Sequence, residues 1–124
     1  MNLETTGDLE YLTWVVQEAL RIRTPILGTS FLHLTEDAKI GKMLIRKGDP
    51  FQILSYPLHF DKSQWQKPLE FLPERFNHSS PLYLTPDGKK RHTYAYVPFA
   101  GGKRVCFGQT FALATLKIAT TYIT

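Results

Sequence analysis

Residues 99–108 read Phe99-Ala-Gly-Gly102-Lys-Arg104-Val-Cys106-Phe-Gly108 and hold the only cysteine of the chain. A single thiol has no internal partner, so a disulfide framework is excluded. Flanked by glycine and arginine and followed by a helix-forming stretch, it suits a thiolate held against a metal. Gly102 and Gly108 let backbone approach a bulky flat ligand, or turn through positive φ. A thiolate at position 106 stands just before the last expected helix, whose first amides stabilise negative charge on sulfur. Arg104 carries a fork that grips a carboxylate bidentately, and Phe99 can cover the sulfur and keep water off it. The bland alternative is a buried, inert small hydrophobe, the commonest fate of a lone cysteine. Its neighbours favour ligation.

A second constellation is Glu18 and Arg21, three residues apart. On an exposed helix such a pair is worth a few tenths of a kcal/mol. Here both lie close to an apolar stripe, and a buried pair needs further hydrogen-bond partners. Arg75, in Pro73-Glu74-Arg75-Phe76, is the candidate third member. None of His33, His59, His78 and His92 forms a pair with metal-ligand spacing on a helix. No phosphate-binding glycine loop, serine elbow or zinc cysteine pair is present.

These residues need elements to position them, and the pattern predicts a mixed α+β architecture. Leu9, Leu12, Val16, Ala19 and Leu20 recur at helical spacing, with Gly7 or Asp8 as cap, Glu10 in the first turn and Thr24-Pro25 as the stop. From Ile26 to Ser55 short β-prone runs (31–34, 38–40, 43–45 and 51–54) alternate with turn residues, the signature of small antiparallel hairpins. Asp61 caps a short helical turn through Trp65 that Pro68 stops. Residues 68–98 show little periodicity and much Pro, Ser, Asn and Gly, which predicts an irregular meander. A final helix is expected over 109–123, with Phe111, Ala112, Leu116 and Ala119 on one stripe.

A chain of 124 residues is at most one domain. Apolar content of 43%, with eight Phe, six Tyr and two Trp, is too high for a disordered chain. Net charge is +4, but Lys89-Lys90-Arg91 and Lys103-Arg104 are short and lack interleaved aromatics. They favour a solvated loop over a nucleic-acid surface. The polar start is unlike a signal peptide, and no apolar stretch approaches the roughly 20 residues of a membrane span. The chain as written reads as soluble and unanchored.

The cysteine segment matches F-x-x-G-x-R-x-C-x-G and so resembles the haem-binding loop of the cytochrome P450 family at every fixed position. Glu18-Ala-Leu-Arg21 looks like the E-x-x-R of that family's K helix. Pro68-Leu-Glu-Phe-Leu-Pro-Glu-Arg-Phe76 resembles its P-x-x-F-x-P-E-R-F segment, with His59-Phe-Asp61 and Trp65 like the stretch just before. Ala112 falls where the loop often continues as C-x-G-x-x-x-A. Three motifs in order, over nearly the whole chain, are highly specific.

The resemblance implies a partial cytochrome P450 fold. It makes Cys106 the axial iron ligand of a haem b and Arg104 a propionate contact. Phe99, Gly102, Gly108 and Ala112 are further cofactor-binding residues of the loop, and Glu18, Arg21 and Arg75 form a structural triad that takes no part in the chemistry. The implied parent reaction inserts one atom of O2 into a small apolar substrate. Electrons come from an NADPH-dependent reductase or another donor that docks on the thiolate side, where Lys103 and the 89–91 run are candidate charges.

Two departures stand out. The family usually has an arginine in the first strand after the K helix, reaching a propionate; here Phe31-Leu-His33 occupies that neighbourhood. His33 can replace it as a weaker donor, although a packed histidine is commoner in such a run. The family's oxygen-activating acid/alcohol pair and most of its substrate pocket lie N-terminal to the K helix. Residues 1–124 are therefore expected to be the C-terminal portion of such a domain, with little oxygen-activating competence alone. The competing expectation is a non-enzymatic remnant or splice form. The eukaryotic-looking 73–76 segment points to a parent on the cytoplasmic face of the endoplasmic reticulum membrane.

Overall fold

The structure, a computed structural model, describes residues 9–123. Helix α1 spans Glu10–Ile22. Its start is Leu9, without a side-chain cap, and the expected caps Gly7 and Asp8 lie outside the described residues. The Arg23 amide still reaches the Ala19 carbonyl at 2.8 Å. The helix then stops ahead of Thr24-Pro25, as the restriction on the residue before proline requires.

Four short strands follow. β1 (Leu32–His33) pairs antiparallel with β4 (Pro50–Phe51), and between them β2 (Ala38–Ile40) and β3 (Met43–Ile45) form a hairpin. Its two-residue turn opens on Gly41 at φ +58°, the conformation a tight hairpin asks of that position. The outer pairing uses Pro50 and Phe51 rather than 51–54, and the chain beyond it touches Gly28 through a single bridge at Leu54. A Cβ on Gly28 would sit 2.6 Å from the Ile53 carbonyl oxygen, so only glycine lets these backbones meet.

Between β4 and the last helix the backbone runs through 3-10 turns at Tyr56–Phe60, Pro73–Phe76, Pro81–Tyr83, Thr93–Ala95 and Gly102–Arg104. Three of them carry proline in their first two positions, where its missing N–H is not needed. Asp61 acts as expected: its carbonyl accepts from the Gln64 and Trp65 amides and its side chain from the Ser63 amide. Helix α2 spans Gln109–Ile123. The stripe predicted for it does not form a buried face. Phe111 is 77% exposed, and no residue of α2 is fully buried. α2 meets α1 across a cleft of about 220 Å3, lined by Val15, Ala19, Leu20, Leu116 and Thr120 among others. No helix among the described residues is long and apolar enough to cross a membrane.

The core is unusual in kind. Val16, Leu20, Trp65 and Ala95 are buried, yet four of the five largest fully buried side chains are Arg21, Arg75, His59 and Glu18. Polar groups, not aliphatic ones, occupy the centre.

Candidate functional site

Glu18 and Arg21 share one face of α1 because three residues make almost one helical turn. Arg21 grips the carboxylate with two prongs, Nε to Oε2 at 2.7 Å and Nη2 to Oε1 at 2.9 Å. Arg75, delivered by the Pro73–Phe76 turn, donates from Nε to Oε1 at 3.0 Å, and the Leu72 amide adds a fourth bond at 2.9 Å. All three side chains are fully buried.

One carboxylate against two guanidiniums leaves an excess positive charge, which in a dry site would be prohibitive. Backbone carbonyls offset it. Arg21 Nη1 donates to the carbonyls of His59 (2.7 Å) and Pro68 (2.8 Å), and Nη2 to that of Glu70 (3.2 Å). Arg75 donates to those of Gln66, Lys67 and Glu70. Among the described residues no buried side-chain polar atom lacks a partner. The motif residues separated by 54–57 positions are thus joined, and α1 and the meander become one unit.

Trp65 extends the unit. Its indole N–H donates to the Leu58 carbonyl at 3.0 Å, and the guanidiniums of Arg21 and Arg91 lie 5.1 and 4.4 Å from its ring centre. Arg91 also donates to the carbonyls of Leu82 (2.9 Å) and Arg75 (2.7 Å). Burial lowers its pKa to about 10, so it stays charged at neutral pH. Of the basic run 89–91, then, Arg91 is not a surface docking charge; its contacts with Trp65 and two carbonyls spend its donors inward.

Sequence reasoning also missed His59, which is fully buried. Its Nε2 accepts from the Val97 amide at 3.0 Å, so Nδ1 carries the proton and faces the Arg21 carbonyl at 3.2 Å. Burial, reinforced by the nearby Arg21 charge, pushes its pKa down to about 4. Only its place in the His59-Phe-Asp61 stretch ahead of Trp65 offered a signal. Tyr96 donates to the Gln17 carbonyl at 3.0 Å, and burial raises its pKa, keeping the hydroxyl protonated.

The cysteine loop begins three residues after Tyr96 and is built differently. Cys106 is free and exposed, as are all residues from 101 to 107. The Cys106 amide donates to the Phe99 carbonyl at 2.9 Å and the Val105 amide to that of Gly102 at 3.2 Å, folding the segment back on itself. Gly102 sits at φ +67°, and nothing lies within 4 Å of where its Cβ would be. A Cβ on Gly108 would lie 3.8 Å from Sγ. Arg104, in the Gly102–Arg104 turn, is exposed and makes no ion pair among the described residues. α2 begins three residues beyond the sulfur, and the Ala112 amide bonds the Gly108 carbonyl at 2.9 Å in its first turn. Phe99 is half-buried. His33 lies apart in β1, opposite Pro50, and is exposed rather than packed. No cluster of three His, Cys, Asp or Glu side chains is arranged to hold a metal among the described residues.

The comparisons with known proteins agree on one family. Cytochrome P450 3A11 of Mus musculus is 37% identical over 120 residues, covering 97% of this chain and 22% of the relative. Cytochrome P450 3A7 of Homo sapiens is 39% identical over 116 residues, covering 94% and 22%. The chain therefore spans about a fifth of the length of these relatives. Among solved structures, the haem domain of cytochrome P450DA superposes with a TM-score of 0.80 at 31% identity, over 99% of this chain and 26% of that one. Retinoic acid bound cyanobacterial CYP120A1 gives 0.81 at 32%, over 99% and 27%. The family model for cytochrome P450 matches residues 1–123, and the chain belongs to the cytochrome P450 family.

Proposed function

We propose that this chain supplies the haem-thiolate part of a monooxygenase, with Cys106 as the residue that would hold the iron of a haem b. The observation that carries the reading is the Cys106 side chain itself: a lone thiol, exposed on a loop whose own backbone bonds hold it open, three residues ahead of a helix N-terminus.

The residues present fit such a group. Sγ is accessible, and Val105, Phe107 and Phe111 offer exposed apolar surface in and just after the loop. Among the described residues Arg104 has no acidic partner to displace, and it would take a propionate bidentately. His33, exposed in β1, is the second candidate donor for a propionate, replacing the arginine usual in the family. Phe99 would cover the sulfur once the group is bound, while Gly102, Gly108 and Ala112 let the loop turn and enter α2 without side-chain bulk. Bound there, haem supplies oxygen activation, to which thiolate donation contributes by favouring O–O cleavage.

In this reading Cys106 would hold the iron and Phe99 would cover the sulfur. Residues 1–124 are the C-terminal portion of the domain, and oxygen activation by this chain alone is not expected. Substrates are small and apolar, and electrons come from an NADPH-dependent reductase or another donor approaching the thiolate side, where Lys103 is exposed. The 73–76 segment, like that of the family's eukaryotic members, supports a parent at the cytoplasmic face of the endoplasmic reticulum membrane. The test is the reduced, carbon monoxide-bound spectrum of the full-length haem protein. A thiolate-type band that Cys106→Ala abolishes is expected, and its survival in that variant would refute the assignment.

A further inference from the structure

The hub around Glu18 and the cysteine loop are separate in character, yet one side chain spans the gap between them. His59 is fully buried and bonded at both ring nitrogens, to the Arg21 carbonyl on one side and the Val97 amide on the other. Val97 lies two residues before Phe99, whose carbonyl accepts the Cys106 amide at 2.9 Å. Between them Pro98 has no N–H, so Val97 offers the last backbone donor ahead of Phe99. Ala100 follows at φ +61°, a conformation a non-glycine residue keeps only where its surroundings hold it. Its amide bonds the Val97 carbonyl at 3.1 Å. Val97 is thus the fixed point from which the strained turn springs, and His59 is what fixes its amide. Tyr96 anchors the neighbouring side chain to the Gln17 carbonyl but leaves that amide untouched.

We infer that His59 is a positioning residue for the thiolate: its Nε2, held in register by the Arg21 carbonyl, sets the Val97 backbone from which the Cys106 loop is hung. This rests on the haem-thiolate reading of Cys106. The imidazole is used as an acceptor toward the loop and a donor toward α1, and the two functions can be removed one at a time. In His59→Gln the amide oxygen reaches the place of Nε2 and can accept from Val97, while the donor to Arg21 is lost. In His59→Asn the short amide reproduces Nδ1 and the acceptor facing Val97 is lost.

The experiment compares these two variants with the wild type as full-length haem protein, by the ferrous carbonyl spectrum and by amide hydrogen exchange at Val97. Expected is a thiolate-type band largely kept in His59→Gln and largely lost in His59→Asn. Val97 exchange in His59→Asn should be roughly five- to tenfold faster than in His59→Gln, as loss of one buried hydrogen bond implies. Equal behaviour of the two variants in both measurements, including equal failure to fold, would overturn the inference, because a role in packing alone does not distinguish them. A wild type without the thiolate-type band would instead refute the reading of Cys106, and Val97 exchange would still decide the role of His59.

Discussion

Around Glu18 every buried polar side-chain atom has a partner and no water reaches the three charged groups, whereas residues 101–107 are all exposed and held mainly by their own backbone. The two regions divide the labour. The hub spends charge on fixing α1 to the meander, and removing one member would leave the others buried and uncompensated. The loop spends almost nothing inward, so its thiol and guanidinium remain available. Position is made in one place, and under the proposed function chemistry is offered in the other.

Breaking the hub should therefore cost most. Glu18→Ala leaves two buried guanidiniums facing each other, and a loss of about 3–5 kcal/mol is expected, read as a fall in the denaturant midpoint of the full-length haem protein. A loss under about 1 kcal/mol would mean that the hub is not what holds α1 to the meander.

Acid sharpens the same contrast. His59 stays neutral in the folded state down to about pH 4, while in the unfolded chain it takes up a proton near 6.5. The unfolded state thus binds more protons between those values, and stability present above pH 6.5 is lost as pH falls toward 4. The expected size is at most about 3 kcal/mol. Unfolding measured across this window in the wild type and in His59→Gln should show the slope reduced in the variant.

The loop should respond the other way. Arg104→Ala is expected to leave stability of the protein part within about 0.5 kcal/mol. Haem retention, measured by transfer to a haem scavenger, should weaken by about tenfold to a hundredfold, as loss of a charge-assisted contact implies. An unfolded variant would show that the loop is part of the framework after all.

Much of this contrast was legible in the sequence, for physical reasons that also mark where it stopped. α2, β2 and β3 fall where local pattern and turn residues placed them, since each is decided by neighbours in the chain. The family resemblance named the residues of the loop and the hub, and the structure brings Glu18, Arg21 and Arg75 together. The outer pairing of β1 with β4 was not legible, because it closes across the hairpin and no local signal sets its register. His59 and Arg91 were missed for a common reason. Each looks like an ordinary polar residue in a loop, and each is drawn inward by partners far along the chain: Val97 buries one, while Trp65 and Arg75 hold the other half-buried. The predicted stripe of α2 failed because a periodic pattern marks a face able to pack, not one that is covered; Phe111 stays in the open.

Iron X-ray absorption on the full-length haem protein tests the central claim most directly, since it reads the atoms bonded to the metal. One sulfur neighbour is predicted in the wild type, replaced by oxygen or nitrogen in Cys106→Ser. A sulfur neighbour that survives in the variant, or an iron without one in the wild type, would contradict the claim that the exposed loop carries the chemistry.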